Sequence, residues 1–139
     1  MDNKSTPAQK ILIVEDDQYL RELYVDILED EGYYVEKAVD GEEGYKKIFH
    51  GGYDLVLLDL MLPHMDGLTI LKKIQSETPP IQPNRMIVVL SNIGQETTIA
   101  KAIVLGARGY MIKSDYTPTQ LVNKIKEYLV SEFTNLKEE

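Results

Sequence analysis

The sequence predicts an α/β fold in which a parallel β-sheet lies between two layers of helices. Short apolar runs rich in β-branched residues alternate five times with segments whose apolar residues recur at helical spacing. Such runs are typical of strands buried on both faces, and their alternation with helices is typical of a parallel sheet. A length of 139 residues fits one domain whose core needs no disulfide or structural metal.

The first two strand–helix units occupy the N-terminal third of the chain. A strand is predicted over residues 11–14, and Asp17 and Gly32 are placed to cap the start and the end of the helix that follows. The second unit has a weaker strand over 34–38 and a short helix over 42–50. The buried stripe of the first helix is predicted to consist of Leu20, Leu23, Tyr24, Ile27 and Leu28.

The remaining three units lie on either side of a loop with three prolines, residues 78–85. Gly106 closes the fourth helix, and the fifth strand is predicted over 109–112. Thr117 and Gln120 form a capping box at the start of the last helix. The other predicted elements are the strand at 55–58, a helix with the stripe Leu68, Leu71 and Ile74, the strand at 86–90 and the helix at 97–105.

The composition indicates one folded unit and excludes several classes of function. Residues 1–9 are predicted to form a flexible N-terminal tail, 10–131 the folded domain, and 132–139 the end of the last helix with a short polar tail. The formal net charge of −8 argues against binding to nucleic acid or to an anionic membrane. The chain has no cysteine, no apolar run long enough for a membrane span and no visible signal peptide, so a cytoplasmic protein is expected.

Polar side chains directly follow the apolar strands, and in a parallel sheet these strand ends share one edge, where ligands bind. Glu15, Asp16, Asp59, Ser91 and Lys113 are placed in this way. Two carboxylates 4 Å apart repel by about 4 kcal/mol at an effective dielectric constant of 20. Lys113 supplies one compensating charge, and a set of oxygen ligands without cysteine or histidine suits Mg²⁺ as the second.

Other polar residues near this edge have structural explanations. Asp17 is explained as a helix cap, Asp66 as part of a turn, and His64 as a solvated loop residue. Tyr110 alternates with its neighbours along a strand and, taken alone, is predicted to lie in the core. Asp59 differs from these, because a carboxylate that ends an otherwise buried strand is a poor structural choice, so it is predicted to be functional.

Four segments of the chain, in this order and spacing, resemble the response-regulator receiver domain. The resemblance covers about residues 10–130. It implies a five-stranded parallel sheet in the order 2-1-3-4-5 flanked by five helices, a flavodoxin-like doubly wound fold. The segments are ILIVEDD at 11–17, DLVLLDLMLPHMDG at 54–67, VLS at 89–91 and GARGYMIK at 106–113.

The resemblance implies a phospho-accepting signalling domain of a two-component system rather than an enzyme. Asp59 would accept a phosphoryl group from the phosphohistidine of a sensor histidine kinase or phosphotransfer protein, and the domain would assist its own phosphorylation and dephosphorylation. Phosphoryl transfer depends mainly on positioning and charge neutralisation, which agrees with the acidic cluster. The implied roles are Mg²⁺ ligation by Asp59, by Asp16 directly, by Glu15 mostly through water and by the Met61 backbone carbonyl, phosphoryl contacts by Lys113 and Ser91, and a conformational switch at Tyr110.

The resemblance also implies an output surface around the fourth and fifth strands and helices. A monomer, or a weak dimer on phosphorylation, is expected, with an unidentified downstream protein target and no direct nucleic-acid or membrane binding. One departure from the family pattern concerns the residue after Lys113, which is usually a proline joined by a cis peptide and is Ser114 here. Because a cis bond before a residue other than proline costs about 2.5–4 kcal/mol, a trans bond is predicted.

Two other functions use a similar fold. An aspartyl-phosphate phosphatase of the haloacid-dehalogenase type needs a second aspartate two residues after the first, where this chain has Met61. A flavodoxin-like FMN-binding module needs a Ser-, Thr- or Gly-rich loop after the first strand, where Glu15, Asp16 and Asp17 would repel phosphate. A purely structural interaction domain would not need the acidic cluster.

Overall fold

A computed structural model of the chain describes residues 8–76 and 79–138, of which 132–138 are described as helical backbone only. Most of the predicted N-terminal tail, residues 1–7, lies outside the described residues, as do Thr78 of the proline-rich loop and Glu139 of the predicted C-terminal tail. Within the described part of the chain, no helix combines the length and the apolar character needed to cross a membrane.

The five strands form one parallel sheet in the order β2-β1-β3-β4-β5, as the resemblance implied. Two strands extend one residue further than the apolar pattern predicted, so Asp59 and Ser91 are the last residues of their strands rather than the first residues after them. A polar side chain ends an apolar run, but it does not end a backbone hydrogen-bond ladder. The strands are β1 (Lys10–Val14), β2 (Tyr34–Ala38), β3 (Leu55–Asp59), β4 (Ile87–Ser91) and β5 (Gly109–Ile112).

Five α-helices and a short 3₁₀ turn connect or follow the strands. The predicted caps are confirmed: the Leu20 amide donates to Asp17 Oδ1 over 3.0 Å, and Gly32 has a left-handed φ of 98° after the end of the first helix. The predicted capping box is also confirmed, with reciprocal hydrogen bonds of 2.9 and 3.1 Å between Thr117 and Gln120. The helices are α1 (Gln18–Asp30), α2 (Gly41–His50), α3 (Gly67–Ser76), α4 (Glu96–Val104) and α5 (Pro118–Glu138), and the 3₁₀ turn is Lys113–Asp115.

Both faces of the sheet are buried, and successive residues of β1 contribute to opposite layers. Ile11 and Ile13 pack with α1 and α5, whereas Leu12 and Val14 pack with α2, α3 and α4. Each of these four side chains is fully buried, and burying one such aliphatic side chain stabilises the fold by about 1.5–3 kcal/mol. The central strands are therefore held firmly enough to fix the positions of the residues at their carboxyl ends.

The buried face of α1 differs from the predicted stripe. Tyr24 and Leu28 are buried as expected, but Leu20, Leu23 and Ile27 are only partly buried. The prediction counted apolar residues alone, and the helix is rotated so that a charged residue shares the buried face. The buried residues of α1 are Arg21, Tyr24, Val25 and Leu28.

Candidate functional site

Three carboxylates meet at the carboxyl edge of the sheet, where the sequence predicted them. Glu15 follows β1 and is 0% exposed, Asp59 ends β3 and is 1% exposed, and Asp16 is exposed. One oxygen from each lies within 4.8 Å of the others. They meet because β1 and β3 are neighbouring parallel strands whose carboxyl ends share this edge.

Lys113 reaches the two buried carboxylates from the turn that follows β5. Its Nζ lies 2.7 Å from Asp59 Oδ2 and 2.9 Å from Glu15 Oε1, although Lys113 and Glu15 are 98 residues apart in sequence. The turn is the 3₁₀ segment Lys113–Asp115, and no cis peptide occurs among the described residues. The Lys113–Ser114 bond is therefore trans, as predicted.

Backbone N–H groups provide the other contacts of the buried carboxylates. The Asp17 amide donates to Glu15 Oε2 over 3.0 Å, and the Met61 amide donates to Asp59 Oδ1 over 2.9 Å. Glu15 Oε1 is buried and accepts no hydrogen bond, since its approach to the Lys113 ammonium lacks hydrogen-bond geometry. A buried carboxylate oxygen without a hydrogen bond is costly, and it is a suitable ligand for a cation.

The electrostatics of the edge show an excess of negative charge. Burial, together with the charge of Asp59, raises the pKa of Glu15 from 4.5 to about 7, against the opposing effects of the Asp17 amide and Lys113. Burial alone would lower the pKa of Lys113, but its hydrogen bonds and ion pairs with Asp59 and Glu15 outweigh burial and raise it. Lys113 is therefore firmly cationic, yet its ammonium is shared by two buried carboxylates, and a third carboxylate, that of Asp16, lies beside them. The all-oxygen donor set and the unsatisfied Glu15 oxygen fit a divalent cation such as Mg²⁺.

Arg21 is a residue of this edge that the sequence analysis missed. It is 8% exposed, and its Nη1 donates to the backbone carbonyls of Glu15 and Asp16 over 2.9 and 3.3 Å. These two hydrogen bonds hold the backbone of the acidic pair, while the buried Nε of Arg21 has no hydrogen-bond partner. The signal that could have found it is its spacing, because Arg21 precedes the buried Tyr24 and Leu28 by three and seven positions.

Ser91 ends β4, the strand next to β3, and Tyr110 lies on β5. Ser91 is fully buried at the end of β4, and its hydroxyl donates to the carbonyl of Asn92 over 2.9 Å. Tyr110 is 49% exposed, which corrects the expectation that strand alternation would place it in the core. Its neighbour Met111 takes the inward position on β5, and β5 is an edge strand, so Tyr110 points to a face that is not fully covered.

An open cleft of about 620 Å³ lies beside the acidic cluster. Asp16, Met61, Asp66, Gln95 and Thr98 are among the residues that line it. Asp16 is the member of the acidic cluster that lines the cleft, whereas Asp59 is almost fully buried.

Comparison with known proteins gives a consistent family assignment. A family model described as "Response regulator receiver domain" matches residues 11–126. The chain is 37% identical over 107 residues to the chemotaxis protein CheY of Treponema pallidum (strain Nichols), which covers 75% of this chain and 72% of that protein. It is 33% identical over 124 residues to the transcriptional regulatory protein SrrA of Staphylococcus aureus (strain NCTC 8325 / PS 47), covering 88% of this chain. It spans about half of SrrA, 48% of its length.

Solved structures agree with this assignment. A CheY-like response regulator receiver domain protein from Methanospirillum hungatei JF-1 superposes with a TM-score of 0.78 at 31% identity, covering 92% of this chain and 98% of that one. The response regulator TrrA from Thermotoga maritima, solved in complex with Mg²⁺ and BeF, superposes with a TM-score of 0.68 at 32% identity, covering 86% and 97%.

Proposed function

Because this chain belongs to the response regulator receiver family of two-component systems, we propose that it accepts a phosphoryl group on Asp59. The donor is the phosphohistidine of a sensor histidine kinase or of a phosphotransfer protein. The observation that carries this proposal is the position of Asp59, which lies at the end of β3 with its Oδ2 2.7 Å from the Lys113 ammonium and a second buried carboxylate nearby. The domain acts as a signalling switch that assists its own phosphorylation and dephosphorylation.

The side chains of the edge have complementary parts in the transfer. An oxygen of Asp59 attacks the phosphorus, the P–N bond to the histidine breaks, and its electron pair leaves with the imidazole nitrogen, which takes up a proton. Lys113 offsets the negative charge of Asp59 and of the incoming phosphoryl oxygens. Asp16, Asp59, Glu15 and the Met61 carbonyl would hold Mg²⁺, which supplies further charge neutralisation when bound. The complex of the relative TrrA with Mg²⁺ and BeF supports this choice of metal.

Ser91 and Tyr110 provide the conformational response. The Ser91 hydroxyl, which donates to the Asn92 carbonyl in this structure, turns to donate to a phosphoryl oxygen once Asp59 is modified. The loop after β4 moves with it, and the exposed Tyr110 ring turns inward. This two-state change alters the surface formed by β4, α4, β5 and α5, where a downstream protein binds.

The other two functions considered from the sequence find no support at this edge. Met61 stands where the haloacid-dehalogenase chemistry needs a second aspartate, and its side chain is 51% exposed. The loop after β1 presents carboxylates, and an FMN phosphate would be repelled there.

Intact mass spectrometry after incubation with acetyl phosphate and Mg²⁺ tests the phosphorylation site. The wild type is expected to gain one phosphoryl group, and Asp59→Asn none. Asp54→Asn is the matched control, because Asp54 precedes the same strand at the opposite edge and pairs with Arg85; it should be phosphorylated like the wild type. An equal adduct on Asp59→Asn would reject Asp59 as the acceptor.

A further inference from the structure

We propose that the first turn of α2 positions the metal-binding loop of the site, with Gly41 as the positioning residue and the Asp40–His64 pair as a latch. The loop concerned is the β3–α3 loop, residues 60–66, which carries Met61. The inference rests on the proposed function, because that function assigns the Met61 carbonyl to the metal site. No residue of α2 itself belongs to the acidic cluster, so its effect on the site is exerted through the loop.

Gly41 brings α2 and the loop closer together than any other residue type would allow. Its amide donates to the Pro63 carbonyl over 3.1 Å, and a Cβ at this position would overlap the backbone carbonyl oxygen of Met65. The φ of Gly41 is not in the left-handed region, so the backbone conformation by itself would admit alanine. Glycine is therefore required here by the close approach of the loop. A side chain would collide with backbone atoms, which cannot move aside by changing rotamer as a side chain can.

The Asp40–His64 pair holds the tip of the loop against the same helix end. Asp40 Oδ1 accepts from the Glu43 amide over 2.9 Å as the cap of α2, and Oδ2 lies 3.0 Å from His64 Nδ1. The Glu43 amide and His64 lower the pKa of Asp40, which is thus an ionised acceptor, so Nδ1 of His64 carries the proton of this hydrogen bond. The His64 side chain is largely exposed, as the sequence analysis expected, but its ring is bonded.

His64 also has a left-handed φ of 72°, which no other non-glycine residue shows in the described part of the chain. A side chain at such a φ is unfavourable and persists only where surrounding contacts maintain it. The contacts that maintain it here come from α2, through Asp40 and through the approach of Gly41 to the residues on either side of His64.

The base of the loop is fixed separately, so a shift at its tip is transmitted to Met61. The Gly67 amide donates to the Leu60 carbonyl over 3.1 Å, and a Cβ at Gly67 would lie 2.6 Å from the Asp59 carbonyl oxygen. Met61 is adjacent to this closed base, and its amide bonds the Asp59 carboxylate over 2.9 Å. Pushing the tip away from α2 would therefore reorient the peptide groups on both sides of Met61.

Titration of Mg²⁺ into the unphosphorylated full chain by isothermal calorimetry tests this inference. Gly41→Ala is expected to weaken Mg²⁺ binding by about 10-fold or more, the usual effect of losing a group that orients a metal ligand. Gly44→Ala is the matched control, because it makes the same change on the same helix, where the new Cβ would meet the Val14 side chain in the core and not the loop. It is expected to lose stability without losing Mg²⁺ affinity. Without metal, the NMR signal of the Met61 amide should shift in Gly41→Ala and stay in place in Gly44→Ala.

A second pair of variants tests the Asp40–His64 latch. These variants also test whether α2 positions the loop if Gly41→Ala does not fold. His64→Ala is expected to weaken Mg²⁺ binding, and His64→Asn to restore it, because asparagine tolerates a left-handed φ and its amide can donate to Asp40. Wild-type affinity in a folded Gly41→Ala, or in His64→Ala, would overturn the inference while leaving the proposed function intact. A wild-type chain that binds no Mg²⁺ would reject the metal site itself, and the inference with it.

Discussion

The amino ends of the strands form one edge of the sheet, the amino edge, and their carboxyl ends form the other, the carboxyl edge. Both carry acidic and basic side chains, but the charges are arranged differently. At the amino edge, Asp54 pairs with Arg85 over 3.2 Å and accepts the Lys10 amide over 2.8 Å, and these side chains are about one-third exposed. At the carboxyl edge, the buried Glu15 and Asp59 share one ammonium, and the exposed Asp16 lies beside them. At the amino edge the negative charge of Asp54 has a positive partner, whereas at the carboxyl edge negative charge is in excess.

The difference separates residues that serve folding from residues that serve binding. Exposed ion pairs contribute about 0–1 kcal/mol each, so the amino edge has little effect on stability in either direction. Buried carboxylates without enough counter-charge destabilise the fold, and such an arrangement is retained at sites where a ligand restores the balance. The excess charge at the carboxyl edge is thus a structural sign of cation binding that does not depend on the family assignment.

Removing the cation from each edge should give the largest contrast. Lys113→Met leaves the buried Glu15 and Asp59 without their ammonium and is expected to lower the free energy of unfolding by about 3–5 kcal/mol at neutral pH. Arg85→Met at the amino edge is expected to lower it by about 1 kcal/mol or less, because its pair with Asp54 is partly exposed. Urea unfolding in the absence of Mg²⁺ measures both, and equal losses would contradict the contrast between the edges.

The convergence at the carboxyl edge was predictable because it depends only on strand direction. Once the alternating pattern indicated a parallel sheet, the polar residues at the ends of β1, β3 and β5 had to share an edge, and the structure brings Glu15, Asp59 and Lys113 into contact. The order of the strands came from the resemblance, since periodicity contains no information about which strands are neighbours.

The features that were missed depend on contacts between elements that are distant in sequence. Arg21 escaped notice because the helical stripe was read from apolar residues alone, whereas its Nη1 donates to two carbonyls of the preceding loop. Gly41 directly precedes the helix predicted over 42–50, and its approach to Met65 follows only from the packing of α2 against the loop. Tyr110 was predicted to be buried but is exposed. The alternation of side chains along a strand shows that the strand has two faces, but on an edge strand such as β5 it does not show which face is covered by helices.

The second largest difference between the edges is expected in how stability depends on pH. Without Mg²⁺, the pKa of Glu15 is about 7 in the folded chain against an ordinary value of 4.5, so the folded state binds its proton more tightly than the unfolded state does. This contribution to stability is complete below pH 4.5 and is lost as the pH rises through 7. At about 1.4 kcal/mol per pKa unit, the loss is on the order of 3–4 kcal/mol.

This expectation is tested by urea unfolding in EDTA. The pH values should lie between the two pKa values of Glu15 and above the higher one. Glu15→Gln should abolish most of the decline in stability with rising pH, because the amide does not titrate. Asp54→Asn should retain the decline, because that carboxylate lies at the balanced edge. A decline of the same size in Glu15→Gln would assign the pH dependence to other groups.

Neutralising one carboxylate at each edge should produce the smallest effects, but with opposite signs. Asp59→Asn removes the charge that repels Glu15 and the desolvation penalty of a side chain that is 1% exposed, while an asparagine oxygen can still accept the Met61 amide. The attraction between Lys113 and Asp59 is lost, but Lys113 keeps its pair with Glu15. Because the penalties of burying an ion commonly equal or exceed the attraction it gains, the variant is expected to be more stable than the wild type by about 1 kcal/mol without Mg²⁺.

Asp54→Asn should instead be less stable than the wild type by up to about 1 kcal/mol, because it weakens a balanced pair. Saturating Mg²⁺ should then reverse the order of Asp59→Asn and the wild type, since a ligand that binds only the folded state stabilises it in proportion to the logarithm of its concentration over its dissociation constant. The urea midpoints of the two variants and the wild type, with Mg²⁺ and with EDTA, give all of these comparisons. An Asp59→Asn chain less stable than the wild type in EDTA would mean that the attraction of Lys113 exceeds the repulsion and desolvation at this edge, and that its negative charge is not in excess.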